Sequence, residues 1–207
     1  MSTTPTREVA RRVLAREFND ATYTFTESDD ERAPVYILLP TGQRANRVFL
    51  VGTLTETEDV GEDAEYWQGR VVDPNGDTFF TYAGQYQPDA AATLRDLEPP
   101  EYVAVVGKPR TYETDEGDVN VSVRPESVTL VDEATRDRWV VETAERTLDR
   151  VERFHDATAE GDAVADEYVA TATEEYDLPV ENYRRAVVGA LESLESATEA
   201  EPEAAAD

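Results

Sequence analysis

Residues 71–89 read VVDPNGDTFFTYAGQYQPD, two β-like runs joined by a tight turn and followed by a helix opener. Pro74, Asn75 and Gly76 supply the turn, because proline presets its own φ and Asn-Gly tolerates positive φ. The second run carries Phe79, Phe80, Tyr82 and Tyr86 within eight positions. Side chains alternate along a strand, so Thr78, Phe80 and Tyr82 face one way and Phe79, Thr81 and Ala83 the other. One set fills an interior and the other faces a ligand or solvent. Alternation alone leaves open which.

Working outward, RVFLVGTLTET (47–57) reads as a long β-branched strand whose interior Gly52 marks a sharp bend. EYWQGRVVD (65–73) is the second strand and DTFFTYAGQY (77–86) the third. PDAAATLRDLE reads as a short helix, EYVAVVGKPRTY as the fourth strand, TDEGD as a turn, and VNVSVRPESVTLV as the fifth strand. The order β-β-β-α-β-β, with a helix between strands three and four, is that of the OB-fold and is favoured over a generic sandwich.

Ahead of this block, Val9, Val13, Leu14 and Phe18 fall at helical spacing after Pro5, which predicts a short amphipathic helix over Thr6–Phe18. Residues 19–34 hold the acidic loop ESDDE, and VYILLP reads as a brief strand. After Asp132 strand signals stop. Val140, Ala144, Leu148, Val151 and His155 share one helical stripe, and further helices are expected over Ala163–Tyr176 and Glu181–Ser196. The expected organisation is a lead-in (1–45), an OB-fold domain (46–131), a helical region (132–197) and a disordered acidic tail (198–207). The class is mainly β with flanking helices: a five-stranded OB-fold barrel, a short N-terminal helix and a C-terminal helical extension.

Charge narrows the setting. The 207 residues hold 46 Asp and Glu against 19 Lys and Arg, a formal net charge of −27, and Lys108 is the single lysine. The acids are spread between apolar runs, which fits a folded protein with a solvated carboxylate skin rather than a disordered chain. A cytoplasm at molar salt favours such a composition, so a salt-in halophile is the expected source. At about 1 M salt the Debye length is roughly 3 Å, and net charge then says little about partners. With no cysteine, disulfides, zinc ribbons and thiol nucleophiles are excluded. No apolar run approaches the roughly 18 residues of a membrane span, and the expected location is cytoplasmic.

Signals for catalysis are absent from the pattern: no Gly-rich phosphate cradle, no nucleophile elbow, no metal-ligand spacing, and one histidine on a predicted helix. The acidic runs read as solvated loops rather than cation sites. No cofactor is implied. Stacking signals are better. Trp67, Phe79, Phe80, Tyr82 and Tyr86 lie on or just after the second and third strands, which form much of an OB-fold's ligand face. Arg44 and Arg47 flank the first strand, Arg70 lies on the second, and Lys108, Arg110 and Arg124 lie on the fourth and fifth. These are candidate phosphate contacts, with acid–base pairing on a crowded surface as the competing reading. Arg7, Arg11, Arg12 and Arg16 are read as neutralising nearby carboxylates.

LPTGQRANRVFLVG together with DPNGDTFFTYAGQY resembles the haloarchaeal RPA-associated proteins, OB-fold relatives of replication protein A, over residues 5–155. The resemblance implies work on single-stranded DNA beside a replication protein A subunit, in replication or repair, either in contact with DNA or as a protein-only adaptor. It also implies that the helix after the barrel serves subunit association, which makes Trp139, Val140, Ala144, Leu148 and Val151 the candidate partner interface. Packing of that stripe on the chain's own barrel is the alternative.

Overall fold

The computed structural model describes residues 8–30, 33–159 and 166–204. Five strands close a barrel: β5 (Val48–Asp59), β6 (Trp67–Val72), β7 (Thr78–Ala83), β8 (Glu101–Glu113) and β9 (Val119–Leu130). They lie in the order β5-β6-β7-β9-β8, and β8 pairs back onto β5. All barrel pairings are antiparallel except β7 with β9, which is parallel at Thr81↔Val123. α2 (Pro88–Asp96) links the third barrel strand to the fourth. This is the OB-fold expected from the sequence.

Local chemistry explains the closure. A Cβ on Gly52 would collide with the Val72 carbonyl, so only glycine lets β5 bend this closely over β6. The register of β5 against β6 then shifts between Leu54 and Glu56, adding the local twist a closed barrel needs. In the β6–β7 turn, Gly76 has φ +86°, where a side chain would be strained. Asp73, 4 % exposed, fixes that turn. Its Oδ1 accepts from the backbone N–H groups of Asn75 and Asp77, and its Oδ2 from that of Ala15. Burial raises the Asp73 pKa despite these donors.

The N-terminal segment departs from expectation. In place of a helix over Thr6–Phe18, Arg11–Arg12 form a two-residue parallel strand, β1, on the edge of β5, and only Ala15–Asn19 are helical, as α1. Thr6 and Arg7 lie outside the described residues. Val9 is 79 % exposed, whereas Val13, Leu14 and Phe18 are buried, so the helical spacing was coincidental at its first position. Pairing with β5 overrides the local pattern. The brief strand read at 35–40 is the middle of a three-stranded antiparallel sheet: β2 (Thr24–Thr26), β3 (Val35–Leu38) and β4 (Arg44–Ala45).

Three helices follow the barrel: α3 (Glu133–Ala159), α4 (Glu167–Glu175) and α5 (Glu181–Ala204). The helix backbone of α5 continues through residues 198–204, where the sequence predicted a disordered tail; residues 205–207 lie outside the described set. One apolar core joins these parts. Val13, Leu14 and Phe18 pack in it with barrel residues Leu50, Val71, Phe79 and Val105, with Trp139, Val140 and Ala144 of α3, and with Val187 and Ala190 of α5. A buried ion pair supports the join: Arg150 of α3 meets Glu17 of α1, and both are almost wholly shielded from solvent.

The stripe assigned to a partner is therefore spent inside the chain. Trp139, Val140, Ala144 and Val151 are at most 3 % exposed, Leu148 packs on the core, and the Trp139 indole N–H donates to the Phe49 carbonyl at 3.2 Å. α3 covers its own barrel, correcting the expectation of a free association face. His155, at the end of that stripe, meets Glu181 at 2.8 Å on the surface.

Candidate nucleic-acid interface

Strand alternation sorts the predicted residues cleanly. In β7, Phe79, Thr81 and Ala83 are buried, while Thr78, Phe80 and Tyr82 are half-buried on the opposite side. Phe79 is fully buried with its ring 5.6 Å from that of Phe18, so it is core and not a stacking platform. Trp67 shares the inward parity of Gly69 and Val71 and packs against the core from the barrel end. It too leaves the site. Phe80 and Tyr82 are the rings that face out.

The outer face runs across β6, β7, β9 and β8. Gln68, Phe80, Tyr82, Ser122, Arg124, Lys108, Arg110 and Tyr112 all lie on it, by strand parity and by pairing of Gln68 with Tyr82, Arg124 with Lys108 and Ser122 with Arg110. The Gln68 amide donates to the Tyr82 hydroxyl at 2.7 Å. Tyr66 stacks on Tyr82 with ring centroids 5.7 Å apart and planes 17° from parallel. Burial, with Tyr112 nearby, raises the Tyr82 hydroxyl pKa. Tyr86, just before α2, is 83 % exposed. Two adjoining grooves use these groups. One, of about 300 Å³, lies among Tyr66, Tyr82, Tyr86, Arg110 and Arg124. The other, of about 340 Å³, lies among Tyr86, Lys108, Arg124 and Glu126.

Charge on this face differs from charge elsewhere. Most described arginines lie within 4 Å of a carboxylate: Arg12 on Glu142, Arg16 on Asp20, Arg95 on Glu65 and Asp96, Arg136 on Glu133 and Asp137. Among the described residues, no carboxylate lies within 4 Å of Lys108, Arg110 or Arg124, while Asp89 and Glu126 line the groove beside Lys108 and Arg124. Burial and the neighbouring Arg124 guanidinium lower the pKa of Arg110. Two like charges side by side without a counter-ion form a seat for an anion, and arginine's planar fork suits phosphate oxygens.

The other predicted cations are spent. Arg44 lies in the three-stranded sheet, 4.4 Å from the Tyr36 ring centroid, and pairs with Glu27 at 2.8 Å and Glu8 at 3.6 Å. Arg47 pairs with Glu126 and donates to the Glu8 carbonyl at 3.1 Å. Neither is a free phosphate contact. Arg70 is on the outer face, but Glu56 neutralises it at 3.0 Å while its guanidinium lies 5.6 Å from the Phe80 ring centroid. It braces that ring. The structure thus brings Phe80, Tyr82, Tyr86, Lys108, Arg110 and Arg124 together, with Arg70 at the edge, and removes Trp67, Phe79, Arg44 and Arg47. Tyr66, Gln68 and Tyr112 were missed. Parity carried the signal: each sits at an even position, in step with Arg70 or with Lys108 and Arg110.

No family model matches the chain, and no curated protein matches it. Solved structures do resemble it. The second single-stranded DNA-binding protein of Mycobacterium smegmatis is 21 % identical, over 42 % of this chain and 86 % of its own, with a TM-score of 0.35. The mitochondrial single-stranded DNA-binding protein Rim1 of S. cerevisiae is 14 % identical, over 42 % and 94 %, with a TM-score of 0.34. An OBody bound to hen egg-white lysozyme is 12 % identical, over 63 % and 94 %, with a TM-score of 0.39. Scores at this level transfer no ligand. Among the described residues no helix is long and apolar enough to cross a membrane.

Proposed function

We propose that the chain binds single-stranded DNA on the outer face of β6, β7, β9 and β8, as a non-enzymatic accessory of a replication protein A-like complex in replication or repair. The observation that carries this reading is the set of cations Lys108, Arg110 and Arg124, unpaired among the described residues, beside the rings of Tyr66, Phe80, Tyr82 and Tyr86, where most other described cations are neutralised. Bases stack on the rings, each worth about 1–3 kcal/mol, while the cations hold the backbone. The companion subunit, the halophilic source and the cytoplasmic setting come from the composition and from the resemblance of residues 5–155.

A protein-only adaptor is the second reading, favoured by the acidic loops EDVGEDAE and TDEGD, which flank the face at the ends of the barrel strands. Fluorescence anisotropy with a labelled oligothymidine across a KCl series decides between them. DNA binding is expected, and Lys108→Ala/Arg110→Ala/Arg124→Ala should weaken it while changing the log–log salt slope by about 2 units for three lost contacts, at roughly 0.7 per phosphate. No binding by the parent chain, with or without a replication protein A subunit, rejects the proposal. Unchanged affinity in the triple variant rejects this face.

A further inference from the structure

A second cationic site lies between β1 and α3. A cavity of about 420 Å³ is lined by Arg11, Arg12, Arg146, Arg150 and Arg153, with Gln43 at its wall. Its acids are fewer than its bases: Asp149 meets Arg146 at 3.4 Å, Glu142 meets Arg12, and Glu17 holds Arg150. Arg11 and Arg153 have no carboxylate partner among the described residues, which corrects the reading of Arg11 as a neutralising group. The Arg12 Nε–H is buried with no acceptor, and the guanidinium lies 5.0 Å from the Phe49 ring centroid. With Arg11 and Arg153 unopposed by carboxylates among the described residues, the cavity is net positive and suits an oxyanion.

Sheet register says which one. Arg11 pairs with Val48, Val48 with Gly107, and Gly107 with Pro125, so a single row crosses β1, β5, β8 and β9. Lys108 and Arg124 form the next row and face outward by parity; Glu126, which lines their groove, pairs with Arg47, whose carbonyl accepts from the Arg11 N–H. At about 4.8 Å per strand, the Arg11 backbone lies roughly 10–15 Å from those of β8 and β9, within the span of the 4–16 nucleotides that an OB-fold holds. We infer that the cavity at Arg11 and Arg153 takes backbone phosphates of the same DNA strand once it passes Lys108, a second contact that only longer strands reach. This inference rests on the function proposed above.

The test compares oligothymidines of about 6 and about 16 nucleotides against the parent chain, Arg11→Ala/Arg153→Ala, and Arg153→Glu alone, a single change at an exposed helix position. The variants should lose on the order of 10-fold affinity for the longer strand and leave the shorter one unchanged, and the double variant's salt slope should differ by about 1.4 units. Equal losses at both lengths, or none at either, overturn the inference while leaving the outer face standing. A change confined to a competing polyglutamate peptide would assign the cavity to an acidic protein and also overturn it. Failure of the parent chain to bind the short strand strikes the proposed function itself.

Discussion

Phe79 and Phe80 are adjacent, chemically identical, and expected to fail in opposite ways. Phe79 is 0 % exposed and packs on Phe18 at 5.6 Å. A buried aromatic side chain removes at least about 150 Å² from water, and at about 25 cal/mol per Å² its truncation forfeits roughly 4 kcal/mol, inside the range of about 3–5 found for buried phenylalanine. For a chain of this size each kcal/mol lowers Tm by about 2–4 °C, so Phe79→Ala should melt roughly 6–20 °C early. Phe80 is half-buried on the outer face beside Arg70, and no core residue depends on it. Phe80→Ala should cost less than about 1 kcal/mol of stability, while a lost stacking platform weakens oligonucleotide binding by about 5- to 150-fold. Calorimetry and anisotropy on both variants check this together. A Phe80→Ala protein that binds normally, or a Phe79→Ala protein that melts normally, would refute the assignment of faces.

Two further outcomes follow from buried polar groups. Arg150→Ala strands the Glu17 carboxylate, which then keeps only the Thr41 hydroxyl at 2.5 Å, and should destabilise by about 3–5 kcal/mol in denaturant titration; adding Glu17→Gln should recover part of the loss. Burial pushes the Tyr176 hydroxyl, bonded to the Leu38 carbonyl at 2.6 Å, up to about 12. The folded state therefore holds this proton more tightly than the unfolded chain, whose tyrosine titrates near 10. Its stabilisation is full below about pH 10 and is lost as pH rises toward 12, up to about 3 kcal/mol, so Tyr176→Phe should flatten the fall of Tm across that window.

The barrel was legible because its signals are local. Strand alternation, the Pro74-Asn75-Gly76 turn and Gly52 each act within a few residues, and together they specify the β-β-β-α-β-β order. The N-terminal segment was not, because Arg11–Arg12 become a strand only by pairing with Val48–Phe49, a contact that spacing around Val9 cannot announce. The site was half legible for the same reason. Parity separates Phe79 from Phe80, but only the closed barrel says which is inside. Whether an arginine is free depends on acids distant in sequence: Arg47 is neutralised by Glu126, 79 residues on. Arg124, two residues before that glutamate, is not.

The net charge of −27 and the proposed ligand are reconciled by distance. In dilute buffer, with a Debye length near 30 Å at 0.01 M, the carboxylate skin as a whole repels a polyanion. At molar salt that field collapses to about 3 Å, and only groups in contact still act. What then counts is local: three cations with no counter-ion among the described residues, next to four rings whose attraction to bases does not depend on screening. Rising salt relieves the skin's repulsion of the polyanion and costs this face only the few phosphate contacts its three cations make. The acidic composition is therefore no argument against a DNA ligand, provided that the cations facing it stay unpaired. Lys108, Arg110 and Arg124 meet that condition, and Arg44, Arg47 and Arg70, neutralised by glutamates, do not.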